Sequence, residues 1–421
     1  MSASPSRPSY AALFRMPHAR RTFAAAMTGR LSYGVVSLAM MLTTTRATGS
    51  YAVAGTVMAL FGATSVFLSP ARAALIDRYG PRRALIPMAS LYAGLLTAFA
   101  VTAWRPGAPV AAVGALAVAA GACTPPLGPT LRAVWGEAVQ DERVLQRAYS
   151  LDGVVEEILF VSGPLVVGAV VRTAPPAAAV VLSALLVWSG TLAFVLSPLV
   201  AGVRPPAARG ASGTARRGRR GRGGRALVRP VVAAAGVGLS LGAVDLLVMA
   251  FAERHHHGAG VVAWVLAALS LGSALGGLLN GAVDWRAAPG ARLPLLAGAL
   301  GLALLGAGLA QSLGALAVAV ACAGFFVAPA LTTSYLMAGA AAPPGFRTRA
   351  GAWVNTAVNA GSSVGTAGAG LLVGRLPLGL CFAVSGAVAM AAALVCARNA
   401  RTPRPDADAG FEVTDRERLL G

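Results

Sequence analysis

Apolar runs of about 20 residues, enough to cross a hydrocarbon core of roughly 30 Å as a helix, recur along almost the whole chain. Twelve can be marked: 22–44, 51–71, 84–104, 109–133, 148–171, 176–197, 230–251, 260–283, 292–312, 313–338, 349–373 and 377–397. Polar, Gly- and Pro-containing breaks separate them, the faintest lying near Gln311 to Gly314. The pattern predicts an all-α membrane protein with twelve transmembrane helices.

Charge placement orients those helices. All 35 basic residues are arginines, and outside the spans only Arg46, Arg105, Arg172, Arg254 and Arg375 fall on one side. The rest lie on the other side, so the positive-inside rule places both termini in the cytoplasm. The first twenty or so residues lack an apolar stretch of signal-peptide type, and the first span is expected to act as its own insertion signal. The longest connection contains "RRGRRGRGGR" and divides the spans six and six. The expected organisation is a six-helix bundle over 1–197, an Arg-rich cytoplasmic linker over 198–229, a second bundle over 230–397 and a cytoplasmic tail over 398–421.

Composition agrees with this reading and narrows function. Hydrophobic residues make up 56% of the 421 residues, charged residues 12%, and mean hydropathy is +0.69. The formal charge of +20 suggests nucleic acid only if it forms one face; here it lies between spans and lacks interleaved aromatics. The linker is expected to lie against anionic headgroups, with no nucleic-acid partner. Cys123, Cys322, Cys381 and Cys396 lie in or at the ends of spans without metal-like spacing, which fits small packing residues. His255 to His257 lack a second ligand cluster and read as an exposed turn. No phosphate-binding loop of ATPase type and no nucleophile–base or metal set stands out, so neither a pump nor an enzyme is indicated.

The two halves resemble each other. "LSYGVVSLAMM" (Leu31–Met41) aligns with "LSLGAVDLLVM" (Leu239–Met249) at an offset of 208. Gly121 and Pro126 in the fourth span share the spacing of Gly324 and Pro329 in the tenth, and Asn280 stands opposite Asp77 in the weaker pair "AALIDR" and "GGLLNG". Such internal repeats are typical of secondary transporters, with the site near the midplane between them.

Between the second and third spans the chain reads "AALIDRYGPRRAL". This resembles the cytoplasmic-loop signature of the major facilitator superfamily at Leu75, Asp77, Arg78, Gly80 and Arg82, with Arg83 an added charge. Ala73 replaces the first glycine and Pro81 one basic residue. The resemblance implies the major facilitator fold and a loop that latches the cytoplasmic side closed. In the fifth span Gly163, Pro164 and Gly168 match a pattern of proton-driven drug antiporters, from which Leu159 and Val167 depart. The fourth-span antiporter pattern is absent, with Arg132 at the cytoplasmic end not taking its place, and the sugar-porter pattern after the sixth span is also missing. Bacterial proton-coupled exporters are the members resembled, which implies a monomer in the bacterial inner (cytoplasmic) membrane.

The fifth span also carries charge, in "SLDGVVEEILFVSGP". An acid at a helix centre costs about 2.5–3.5 kcal/mol on the insertion scale, so Glu156 and Glu157 must face protein or water. With the helix entering near Arg147, Asp152 is expected close to the interface. Arg30, at comparable depth in the first span, is the partner expected for Glu156, either as a permanent bridge or as part of a proton-coupling network of Glu157, Glu156, Arg30 and Asp152. Glu157 is rotated by about 100° from Glu156, which leaves it as the carboxylate expected to face the cavity and the less explained charge of the span. Asp245, Asn355, Asn359 and Tyr335 are candidates for the substrate cavity. Glycine pairs four apart, Gly361/Gly365, Gly272/Gly276 and Gly277/Gly281, mark close helix approaches.

The function expected is alternating-access transport of a small amphipathic compound, driven outward by exchange with protons and needing no cofactor or metal. Proton-coupled uptake is the alternative, and a non-transporting sensor or scaffold the rival from another class.

Overall fold

The computed structural model describes residues 10–202, 215–256, 259–343 and 345–398. Two six-helix halves form it. The first holds α1 (Ala19–Thr48), α2 (Tyr51–Phe67 continued by Ser69–Tyr79), α3 (Pro81–Thr102), α4 (Val110–Cys123 continued by Leu127–Ala138), α5 (Glu142–Val171) and α6 (Pro176–Val195). The second holds α7 (Ala215–Arg254), α8 (Ala259–Ala282), α9 (Pro289–Ala307), α10 (Leu313–Ala341), α11 (Arg347–Val373) and α12 (Leu378–Arg398). Ten of these are long and apolar enough to span a membrane, and α2 is an eleventh with a 40° bend. The twelfth, α11, is 27 residues long, but Asn355, Asn359, Ser362 and Ser363 lower its hydropathy.

Several boundaries differ from the sequence reading for local reasons. Asp141 caps α5, its side chain accepting the backbone N–H of Arg143 at 2.8 Å. The helix therefore begins at Glu142, six residues before the apolar run. Asp152 is then ten residues in, about 15 Å along the axis, and fully buried in protein. The segment 198–229 contains a short helix, Pro198–Ala201, and the beginning of α7; its residues 203–214 lie outside the described residues. So do residues 399–421 of the expected tail, and His257 of the histidine triplet.

Pro125 and Pro126 cannot donate backbone hydrogen bonds, and α4 breaks at Thr124–Pro126. Pro164 and Pro329 sit inside unbroken helices. The bend of α2 at Leu68 lies beside the break of α4, and one buried side chain serves both. Arg72 donates to the carbonyls of Gly121 and Ala122 at 2.9 and 3.0 Å, and to Ser65 at 2.5 Å. These are carbonyls that helix breaks leave free.

The internal repeat reappears as packing. A Cβ on Gly34 would lie 2.6 Å from the Leu159 carbonyl of α5; one on Gly242, 208 positions later, would overlap the Ser362 carbonyl of α11. Gly121 sits against the Phe61 carbonyl and Gly324 against Leu269, again with α2 and α8 related by 208. The glycine pairs differ in what they seat. Gly361 and Gly365 bring α11 onto α7, and Gly272 and Gly276 bring α8 onto α10. Gly277 and Gly281 instead face Val154 and Ser150 of α5, across the halves.

The core has three parts. Two belong to one half each, around Val35, Phe61 and Phe99 and around Val237, Leu300 and Phe382. The third, around Leu13, Leu131, Trp135, Tyr335 and Val354, draws on both halves at the arginine-rich end. The halves are therefore packed together at that end and separate toward the other.

Candidate functional site

Where α1, α4 and α5 meet, two arginines and two carboxylates form a closed ring. Arg30 Nη1 donates to Asp152 Oδ1, and Arg30 Nη2 lies 2.9 Å from Glu156 Oε2. Arg132 Nη2 donates to the same Glu156 oxygen at 2.7 Å, while Arg132 Nε lies 2.7 Å from Asp152 Oδ2. Each cation thus touches both anions, and the ring has no formal net charge. Asp152 and Glu156 can do this because they are four apart on one helical face.

Burial is uneven around the ring. Arg30, Arg132 and Asp152 side chains are 3%, 5% and 0% exposed, whereas Glu156 is 32% exposed. Glu156 is the one member of the ring that protein does not fully enclose. The close approach of α1 and α5 that brings the ring together depends on Gly34 and Gly163, whose backbones touch. Gly168 has open space where a Cβ would be and takes no part in this contact.

The sequence reading placed Arg132 at a helix end and outside the network. The structure continues α4 to Ala138 and puts Arg132 inside the ring. Charge balance was the available signal: several acids in the fifth span faced only Arg30 among intramembrane cations.

Two contacts carry the site across to the second half. The Arg132 guanidinium lies 3.8 Å from the centre of the Tyr335 ring on α10, a cation–π geometry. Glu157, turned away from the ring, accepts the Ser273 hydroxyl of α8 at 3.1 Å. Tyr335 in turn stands 3.5 Å from Asn355 Oδ1, and Asn359 donates to the Asn355 carbonyl at 2.8 Å. Asp245 is exposed on α7 toward the open end and is not drawn into this cluster; Ser37, its repeat counterpart, is exposed as well.

Below the site, two of the fastenings between the halves are related by the repeat. Asp77, at the end of α2, accepts the backbone N–H groups of Thr348 and Arg349 at 3.2 and 2.9 Å. A carboxylate from one half thereby caps the N-terminus of α11 in the other, where the helix dipole favours negative charge. Gly80 follows with φ +84 and ψ 157, a positive φ with extended ψ that favours glycine, and Pro81 starts α3. Arg78 stacks beside Tyr79 at 5.2 Å, and Arg82 and Arg83 are exposed. The repeat-related fastening joins the α8–α9 connection to α5: Arg147 to Asp284 at 2.8 Å, Asn280 to Ser150 at 3.1 Å, and Gln146 to the Asn280 carbonyl at 2.5 Å.

The sequence profile of the Major Facilitator Superfamily matches residues 22–283 and 231–418. The chain belongs to this superfamily. It is a membrane transporter rather than an enzyme, with twelve helices in two bundles. A search of curated proteins returns no significant match. Among solved structures it is similar to the human organic anion transporter MFSD10, at 16% identity and a TM-score of 0.67, over 90% of this chain and 99% of that one. A bacterial homologue of the iron transporter ferroportin, in an outward-facing state, is similar at 13% identity and 0.67, over 90% and 96%. The E. coli fucose:proton symporter is similar at 15% identity and 0.64, over 91% and 99%. At these identities the likeness speaks for the fold alone.

Proposed function

We propose that this superfamily member is a proton-coupled exporter of a small amphipathic compound, with Glu156 as the group that takes up and releases the proton. The observation that supports this reading is the uneven ring: three members enclosed by protein and one carboxylate only partly so. Desolvation favours the neutral acid and neighbouring guanidinium groups the charged one, so moving Arg30 or Arg132 changes which form prevails. Protonating Glu156 leaves two buried arginines sharing one carboxylate. Arg132 is stacked on Tyr335, so that imbalance reaches the other half and biases the equilibrium between cytoplasm-closed and cytoplasm-open forms.

Asp152, which touches both arginines and is out of reach of solvent, keeps the ring assembled. Glu157 and Ser273 form the second midplane contact, released when the halves part. Asn355, Asn359 and Asp245 offer polar contacts toward the open side, where the cargo binds. The protein works as a monomer in a bacterial inner membrane, driven by the proton gradient without a cofactor.

The likeness to a fucose:proton symporter makes proton-driven uptake the second reading. One experiment decides between them. Purified protein is reconstituted into liposomes preloaded with an amphipathic dye that it carries, and luminal pH is followed as the dye leaves. Exchange acidifies the lumen, symport makes it more alkaline, and a constant pH during dye efflux contradicts proton coupling altogether.

A further inference from the structure

At the cytoplasmic end, away from the charge ring, a cavity of about 1650 Å³ opens between the halves. Its wall carries five guanidinium groups: Arg143 at the start of α5, Arg229 on α7, Arg286 and Arg292 around the start of α9, and Arg347 at the start of α11. Three of them donate hydrogen bonds to neutral acceptors. Arg292 donates to Gln146 Oε1 at 2.9 Å, Arg229 to the Gly290 carbonyl at 3.0 Å, and Arg347 to the Gly136 carbonyl. Arg143 and Arg286 are exposed. Asp141 and Glu142 share the wall, and the Glu142 charge acts on Arg292, yet among the described residues neither carboxylate forms a direct ion pair with any of the five.

Burial makes this arrangement costly as it stands. Arg292 is 4% exposed, and its Nε and that of Arg229 are buried with no protein partner. A cation withdrawn from water is unfavourable unless an anion and hydrogen bonds replace the lost hydration. The planar fork of arginine matches phosphate oxygens in paired contacts. The space exceeds the roughly 300–1,000 Å³ of ordinary small-molecule sites, so it admits a phosphate together with the organic group that bears it. Trp285, whose ring lies 5.2 Å from the Arg292 guanidinium, also lines the cavity and offers an apolar surface to such a group.

We infer that this cavity binds a phosphate-bearing anion, as a soluble phosphate ester or as the headgroup of an anionic lipid, and that binding holds the cytoplasmic side closed. The second part follows from where the arginines come from. Arg143 belongs to the first half and the other four to the second, so an anion held by both sets bridges the surfaces that must part when the cytoplasmic side opens. A ligand that binds the closed form better shifts the population toward it.

The test uses the full chain, first in detergent and then in nanodiscs. Pyrophosphate, titrated calorimetrically into phosphate-free protein, represents the soluble source. Phosphatidylglycerol co-purifying from mixed phosphatidylcholine nanodiscs, detected by native mass spectrometry, represents the lipid source. Arg292→Gln is expected to weaken whichever is bound at least tenfold. Because Arg292 is buried, the double variant Arg143→Gln/Arg286→Gln provides a second measurement at exposed residues with no hydrogen bond to lose. Saturable pyrophosphate binding that both variants weaken supports the soluble ester. Phosphatidylglycerol retention that both variants abolish, without pyrophosphate binding, supports the headgroup. If neither probe binds, or the double variant binds as the wild type does, the site is overturned.

Discussion

Asp152 and Glu156 share a face of α5 and the same two arginines, but removing their charges should have different consequences. Asp152 is fully buried, and breaking a buried pair from one side costs about 3–5 kcal/mol because the partner keeps its charge. Asp152→Asn is therefore expected to lower the melting temperature in detergent and the amount of protein in the membrane. Glu156, 32% exposed, is only partly enclosed by protein, and Glu156→Gln is expected to leave abundance close to wild type. Equal losses of abundance in the two variants would remove the distinction between a structural and a titrating carboxylate. At this scale the sequence revealed that charges lay in the membrane and that Arg30 faced Glu156. It did not reveal Arg132, because hydropathy ended the fourth span at 133 whereas the helix continues to Ala138. Nor did it reveal the burial of Asp152 in protein, because its two arginine partners come from other helices. Hydropathy locates lipid-facing surface, and helices extend past it.

Among the elements, the crossing of α1 and α5 sets the ring's geometry, and it tolerates no side chain at the contact. A Cβ on Gly163 would overlap the Gly34 carbonyl, whereas one on Gly168 meets nothing within 4 Å. Overpacking of this kind typically costs about 1–3 kcal/mol. Gly163→Ala should thus reduce thermal stability and coupled transport together, while Gly168→Ala leaves both unchanged; a stable, fully active Gly163→Ala protein would show that the helices need not approach so closely. The glycine spacings were visible in the sequence, but their assignments were not. Gly272/Gly276 and Gly277/Gly281 look alike as text, yet one pair packs within a half and the other faces the moving surface. Which backbone a glycine meets is a property of tertiary structure. The bend of α2 was equally hidden, since the carbonyls it frees are satisfied by Arg72, a residue that reads only as a loop charge.

For the whole molecule, the shared core, the Asp77 cap and the Arg147–Asp284 pair all lie at the arginine-rich end, so this is the form closed at that end. Loss of the Asp77 charge from the α11 N-terminus is worth about 1–2 kcal/mol, a shift of roughly 5–30-fold in the ratio of closed to open forms. Spin labels at Arg82 and Arg349, exposed residues on opposite halves, should report longer distances in Asp77→Asn; an unchanged distribution would reduce the loop to an orienting signal. The loop motif, the six-and-six division and the repeat made the architecture legible from sequence, because each is a pattern of residue types at fixed spacing. The conformational state was not, since the sequence serves both states. The central claim is that Glu156 couples this rocking to protons, and the most direct measurement compares wild type with Glu156→Gln in proteoliposomes. Dye-for-dye exchange and dye-linked change of luminal pH are recorded on the same preparation. Glu156→Gln is expected to retain exchange within a few-fold and to lose the pH change; a Glu156→Gln protein that still moves protons with the dye as wild type does would contradict the account.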